Sequence, residues 1–180
     1  MTRSMTMTVD LSYPVGRFDR NATRTAESRR AALDDLAGLP ARMREAVHGL
    51  TDAQLDTPYR PGGWTVRQLV HHVADSHMNG LIRMKLALTE ENPTIKPYDQ
   101  EAWASLPDAR LPIAVSLSIL DAVHERWTTV NRSLADADFA RTFVHPDLGP
   151  LTIDTHVHLY GWHSRHHVAH VTGLRQREAW

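Results

Sequence analysis

Two imidazoles four residues apart on a helix project side by side and can hold one metal ion. The C-terminal stretch of this chain offers two such pairs, His163/His167 and His166/His170. They lie in a segment that carries six of the twelve histidines within fifteen residues: His156, His158, His163, His166, His167 and His170. At about 100° per residue, His156, His163, His167 and His170 fall within roughly 60° of one another on one helix face, with His166 just to one side. Burying several unpaired imidazoles on one face is costly, so the density reads as a metal site. Spacing alone does not choose between the two pairs.

A catalytic metal site takes a third protein ligand from elsewhere in the fold and leaves room for water. An earlier stretch, VRQLVHHVADSHMNG, supplies His71, His72 and His77. On a helix Val66, Leu69, Val70 and Val73 face the core, His72 lies at the edge of that stripe close to Leu69, and His71 points further round. His72 is therefore the better third ligand, and ligation by two facing helices is how bundles build metal sites. Asp75 and Ser76 follow one turn on. Asp75 is the candidate carboxylate, either orienting a ligand imidazole or accepting a proton.

The elements that must position these groups are four helical blocks separated by Pro-, Gly- and Asp-rich segments. The first spans about 22–50, with Leu33, Leu36, Leu39, Met43, Ala46 and Leu50 at three- and four-residue spacing. Gly38 and Pro40 interrupt it, which predicts a kink there or the first turn of a second segment. Thr51 caps a short turn, 52–55, before the loop TPYRPGG. Thr65 caps the second helix, which runs to about Glu90 with Val66, Leu69, Val70, Val73, His77 and Leu81 as its buried stripe. The connection from Asn92 to Leu111 contains three prolines and a short helix near 100–104, and a connection that long is often functional. A third helix from Pro112 to about Leu134 shows Val115, Ile119, Val123, Trp127 and Val130 as its apolar stripe. The strands 142–144 and 151–153 flank a Pro-Asp-Leu-Gly-Pro turn as a small hairpin. The last helix runs from Asp154 or Thr155 to about Arg177. The fold class is thus all-α, a four-helix bundle with one long crossover loop and a small hairpin before the last helix.

Composition bounds the function. Length and a 42% hydrophobic content suit one domain over 1–180, with residues 1–10 expected to be disordered and Met1, Met5 and Met7 as alternative starts. A formal charge of −1 supplies no basic field for a polyanion, so nucleic acid is not an expected partner. The chain has no cysteine, which excludes thiolate zinc sites, iron–sulfur clusters, disulfides and a cysteine nucleophile. Apolar runs are too short to span a bilayer, giving an expected cytoplasmic location and no membrane partner. Lone histidines on half-buried faces, His48, His124 and His145, read as core or boundary residues, as do His156 and His158 near the start of the last helix. Trp64, Trp103, Trp127 and Trp162 read as packing residues, with Trp103 placed to close over a pocket.

The stretches PYRPGGWTVRQLVHHVADSHMNGLIRMKLALTEENPTIKPYDQEAW and LYGWHSRHHVAH, with LSYPVGRF and TDAQLDTPYR, closely resemble the YfiT group of metal-dependent hydrolases in the DinB-like superfamily. The resemblance implies a four-helix bundle binding a divalent metal, zinc or nickel, through three histidines; zinc is expected first on its abundance and Lewis acidity, and nickel second. Carried over by motif, these are His72 on the second helix and His163 with His167 on the last. His166 and His170 then become neighbours of the site, and His71 and His77 non-ligands. A homodimer and a small-molecule substrate are also implied. Related bundles include transferases that join thiols such as bacillithiol or mycothiol to electrophiles, so fold leaves the chemistry open. The leading expectation is hydrolysis by metal-activated water. The alternatives are thiol S-transfer, with the ion holding a cofactor's sulfur, and a non-catalytic scaffold whose ion only fastens two helices.

Overall fold

Threonines set the helix starts. The computed structural model describes residues 10–180; the expectations for residues 1–9, including the alternative starts, lie outside them. Helix α1 (Ala26–Val47), α2 (Asp52–Leu55) and α3 (Val66–Thr89) open on Thr25, Thr51 and Thr65, each accepting from the backbone three residues on. Ser28, Gln54 and Gln68 reach back to the capping residue, closing a capping box at each start. Asp99 caps the short α4 (Gln100–Ala104), and Thr152 caps α6 (Ile153–Glu178). Helix α5 (Ala114–Arg132) has no side-chain cap. Between α5 and α6, β1 (Thr142–His145) and β2 (Gly149–Thr152) pair antiparallel, with Gly149 at φ 73° turning the chain.

The four long helices form the bundle. Helix α1 packs on α5 and α6, and α3 packs on the same two from the other side. Contacts of Ser28 with His158 and of Arg175 with the Ala46 carbonyl show that α1 and α6 run parallel. Tyr160 donating to the Ser76 carbonyl and His156 to the Gly80 carbonyl show that α3 and α6 run antiparallel. His72 near the start of α3 thereby meets the middle of α6. Arg67, a buried residue of α3, binds Asp52 and Asp56 at 2.7 and 2.6 Å and fastens α2 to the bundle.

The core is split along its length. One apolar cluster gathers Leu39, Met43, Leu69, Val73, Leu120, Val171 and Leu174; the other gathers Leu36, Leu81, Met84, Trp127, Ile153, Val157 and Tyr160. Between them in chain position on α3, α5 and α6 lie His77, His124, His163 and His167. Imidazoles fill the layer that apolar side chains would otherwise occupy.

The structure narrows one sequence expectation and corrects another. Helix α1 is continuous through Pro40 and does not restart there. Proline removes the donor that would bond the Leu36 carbonyl, and the buried His124 of α5 approaches that carbonyl from across the bundle. On α5 the buried face is Ser116, Leu117, Leu120, His124, Trp127 and Asn131, while Val115 is 48% exposed. The expected apolar stripe shares Trp127 with this face and otherwise runs along its partly buried flank at Ile119, Val123 and Val130, because polar residues such as Ser116, which meets His71 of α3, take part of the buried surface. The α3 stripe, in contrast, is buried at every expected position.

Candidate metal centre

One nitrogen from each of His72, His163 and His167 lies within 4.8 Å of the others. Helix α3 brings His72 across to the α6 pair, with ring centroids 5.5 Å from His163 and 5.0 Å from His167. The Nε2 atoms of His163 and His167 are 3.1 Å apart. Two imidazole ligands at ~2.0–2.1 Å from a tetrahedral zinc would stand roughly 3.3 Å apart, so this pair fits an ion with almost no movement. Burial holds His72 down to about 4 and holds His163 and His167 well below the usual histidine range, with neighbouring imidazoles adding to the effect. All three are therefore neutral near pH 7, with lone pairs available for a cation. The buried Nδ1 of His167 has no hydrogen-bond partner among the described residues.

A second trio, His166, His167 and His170, also converges within 4.8 Å. Its two further members are packed against aromatic rings, His166 on Trp162 at 4.5 Å and His170 on Tyr59 at 4.2 Å. His72 joins His163 and His167 and stays outside this second group.

The remaining candidates sort by their contacts. Both nitrogens of His71 are engaged, Nε2 donating to the Leu111 carbonyl at 2.9 Å and Nδ1 accepting from Ser116 Oγ at 2.7 Å. His77 is fully buried and its Nε2 lies 3.1 Å from His163 Nδ1. Asp75 makes no side-chain hydrogen bond to any of the three histidines and does not line the cavity beside them; only its carbonyl is engaged, by Asn79. Burial, and then Asp108, pushes its carboxyl up to about 6. The side chain placed to contact a ligand imidazole is His77, from the same helix.

The histidines open on a cavity of about 370 Å³. Its walls come from the N-terminal strap (Ser12, Tyr13), the Gly-Gly loop (Tyr59, Arg60, Gly62, Gly63, Trp64), α4 (Gln100, Glu101) and α6 (Trp162 and the histidines). Trp64 tilts over His72 with centroids 4.6 Å apart and donates from Nε1 to Glu101 Oε2 at 2.9 Å. Trp162 donates to the Gly16 carbonyl, which ties the strap across α6. Glu101 and Arg60 supply opposite charges to the lining, and spacing arguments had singled out neither. The long connection does shape the cavity, through Gln100 and Glu101, whereas Trp103 packs at a tilt on Tyr98 at 4.4 Å and stays outside it.

Residues 17–171 match the family model of the DinB superfamily. Proteins of Bacillus mycoides and Bacillus anthracis, each named "putative metal-dependent hydrolase", are 52% identical over 171 residues, 95% of this chain and 99% of theirs. The solved structure of YfiT from Bacillus subtilis superposes with a TM-score of 0.91 at 48% identity, covering 96% of this chain and 99% of that one. That protein is described as "a probable metal-dependent hydrolase with an unusual four-helix bundle topology".

Proposed function

The chain belongs to the DinB superfamily, and from that premise we propose that it is a hydrolase of a small-molecule substrate that holds one divalent ion per subunit on His72, His163 and His167. The observation that carries this reading is the convergence of three neutral imidazoles from two facing helices at the wall of a ligand-sized cavity. A divalent ion held there would supply Lewis acidity, which would lower the pKa of water and polarise an amide or ester carbonyl. Zinc is the first expectation and nickel the second, since imidazole suits both.

The chain's own groups do the rest. Neutral imidazoles leave the ion its full charge. Trp64 covers the outer face of His72 and holds Glu101 by one oxygen. Glu101 is the one carboxylate in the cavity lining among the described residues, and its other oxygen is available to take a proton from an attacking water and pass it to the leaving group. Asp75, whose side chain makes no hydrogen bond to the three histidines, is given no part in this scheme.

The test is elemental analysis of tag-free protein beside His72→Ala, His163→Ala and His167→Ala, each checked for folding, followed by p-nitrophenyl ester turnover with and without an added low-molecular-weight thiol. Support is about one zinc or nickel per chain, lost in all three variants, with product formed in water alone. Metal kept by the variants, or absent from the wild type, overturns the ligand set. Turnover that requires the thiol overturns hydrolysis in favour of transfer.

The proposal extends to a cytoplasmic homodimer. No described helix is long and apolar enough to cross a membrane. Met78 and Ile82, 37% and 51% exposed one turn apart on α3, offer apolar surface to a second copy. Light scattering on the eluting protein checks the assembly.

A further inference from the structure

His77 occupies a core position on α3, and its hydrogen bond is to a proposed ligand. Its Nε2 is 3.1 Å from His163 Nδ1, and its side chain is wholly inaccessible to solvent. The ring is wedged between elements: Tyr160 of α6 meets it edge-on at 4.9 Å and 87°, and His124 and Trp127 of α5 lie at 4.9 and 5.9 Å. Of the three proposed ligands, His163 alone has its second nitrogen within hydrogen-bond distance of another group among the described residues.

We propose that His77 is a positioning residue for the metal centre, fixing the tautomer and orientation of His163 by accepting a hydrogen bond from its Nδ1–H. The inference rests on the ligand set proposed above. A neutral imidazole carries one proton, and a nitrogen that binds metal cannot keep it. With Nε2 of His163 beside His167 Nε2 and so the nitrogen that would hold an ion, the His163 proton would sit on Nδ1, His77 Nε2 would be the acceptor and His77 would carry its own proton on Nδ1. The reverse hydrogen bond would place the His163 proton on Nε2 and block ligation. Metal-ligating histidines generally donate their other N–H to such a partner, most often a carboxylate or a carbonyl. In a pocket walled by Trp127, Tyr160 and His124 a carboxylate would be a buried charge, whereas a second imidazole accepts without one.

The experiment compares zinc affinity, by competition with a chromogenic chelator, for wild type, His77→Phe and His77→Gln, with unfolding of each metal-free protein as the check on folding. Phenylalanine fills the space without an acceptor and is expected to weaken zinc binding about 10- to 100-fold. Glutamine can offer its side-chain carbonyl near the same place and is expected to stay within roughly threefold of wild type, a rescue that a purely packing role would not produce. Nitrogen NMR of zinc-loaded, histidine-labelled wild type is expected to show His163 and His77 both protonated at Nδ1, and this reading holds even where a variant fails to fold. Wild-type affinity in His77→Phe, no rescue by glutamine in a folded variant, or a proton on His77 Nε2 would overturn the assignment. His72→Ala and His163→Ala separate the two levels. Unchanged affinity in these overturns the ligand set itself, whereas loss in these with His77→Phe unaffected overturns the positioning role alone.

Discussion

A carboxylate near a histidine cluster can be a reagent or a bystander, and the proposed function assigns Glu101 and Asp75 to opposite sides of that division. Glu101 lines the cavity and is held by Trp64. Glutamine at this position keeps the acceptor for Trp64 and loses the proton acceptor, so Glu101→Gln should lower kcat by about 10²- to 10⁴-fold with zinc content unchanged, as read by steady-state kinetics beside elemental analysis. Asp75 is half-buried without a partner, and its carboxyl is raised to about 6, by burial first and Asp108 second. A raised folded pKa means that its contribution to stability is fully present below about pH 4 and is lost as the pH rises through about 6. Asp75→Asn should therefore stabilise the protein at pH 7 by about 1 kcal/mol, discounted for solvent screening, and have little effect near pH 4. Denaturant unfolding at the two pH values checks this.

At the scale of elements, two glycines let α6 approach its neighbours. A Cβ on Gly161 would stand 2.9 Å from the backbone of Ala32, and one on Gly80 would stand 2.5 Å from the Trp127 ring and 2.6 Å from that of Tyr160. Backbone cannot swing aside as a side chain can, so Gly161→Ala must push α1 and α6 apart. A loss of about 1–3 kcal/mol is expected, measured by urea unfolding. The same displacement would shift His163 and His167 on α6 relative to His72, so zinc affinity should fall in the folded fraction as well.

For the whole molecule, the histidine layer makes stability depend on acid and on metal. His124 and His156, neither a proposed ligand, are both lowered to about 4 by burial, with the carbonyls of Leu36 and Gly80 opposing that shift. Their contribution is fully present above about pH 6.5 and is lost as the pH falls through about 4, because the unfolded chain binds the extra protons. Metal-free protein should thus lose stability steeply across that window, each such group adding up to about 1.4 kcal/mol per pH unit. His156→Gln, which keeps a donor for the Gly80 carbonyl, should flatten the slope by one proton. Zinc, if held by the proposed ligand set, would act in the opposite direction: free ion at 100 times Kd should raise the unfolding free energy by about 2.7 kcal/mol, reversed by chelator, as read by thermal unfolding.

The chain by itself determined what depends on near neighbours. Thr51 and Thr65, with Gln54 and Gln68 three residues later, mark helix starts because a cap is satisfied within one turn. The α3 stripe from Val66 to Leu81 follows from helical periodicity, and the side-by-side projection of His163 and His167 follows from their four-residue spacing. The choice of that pair over His166/His170 came from resemblance, since both spacings are equal. What only the tertiary structure decided depends on which surfaces meet. Pro40 stays inside a helix beside His124, the buried face of α5 carries Ser116 and Asn131, His77 lies against His163, and Glu101 and Tyr13 reach the cavity wall from segments far apart in the chain. Local spacing fixes the direction of a side chain from its own helix. Its partner is fixed by the rotation and approach of a second helix, which here turn on contacts such as Gly161 against Ala32.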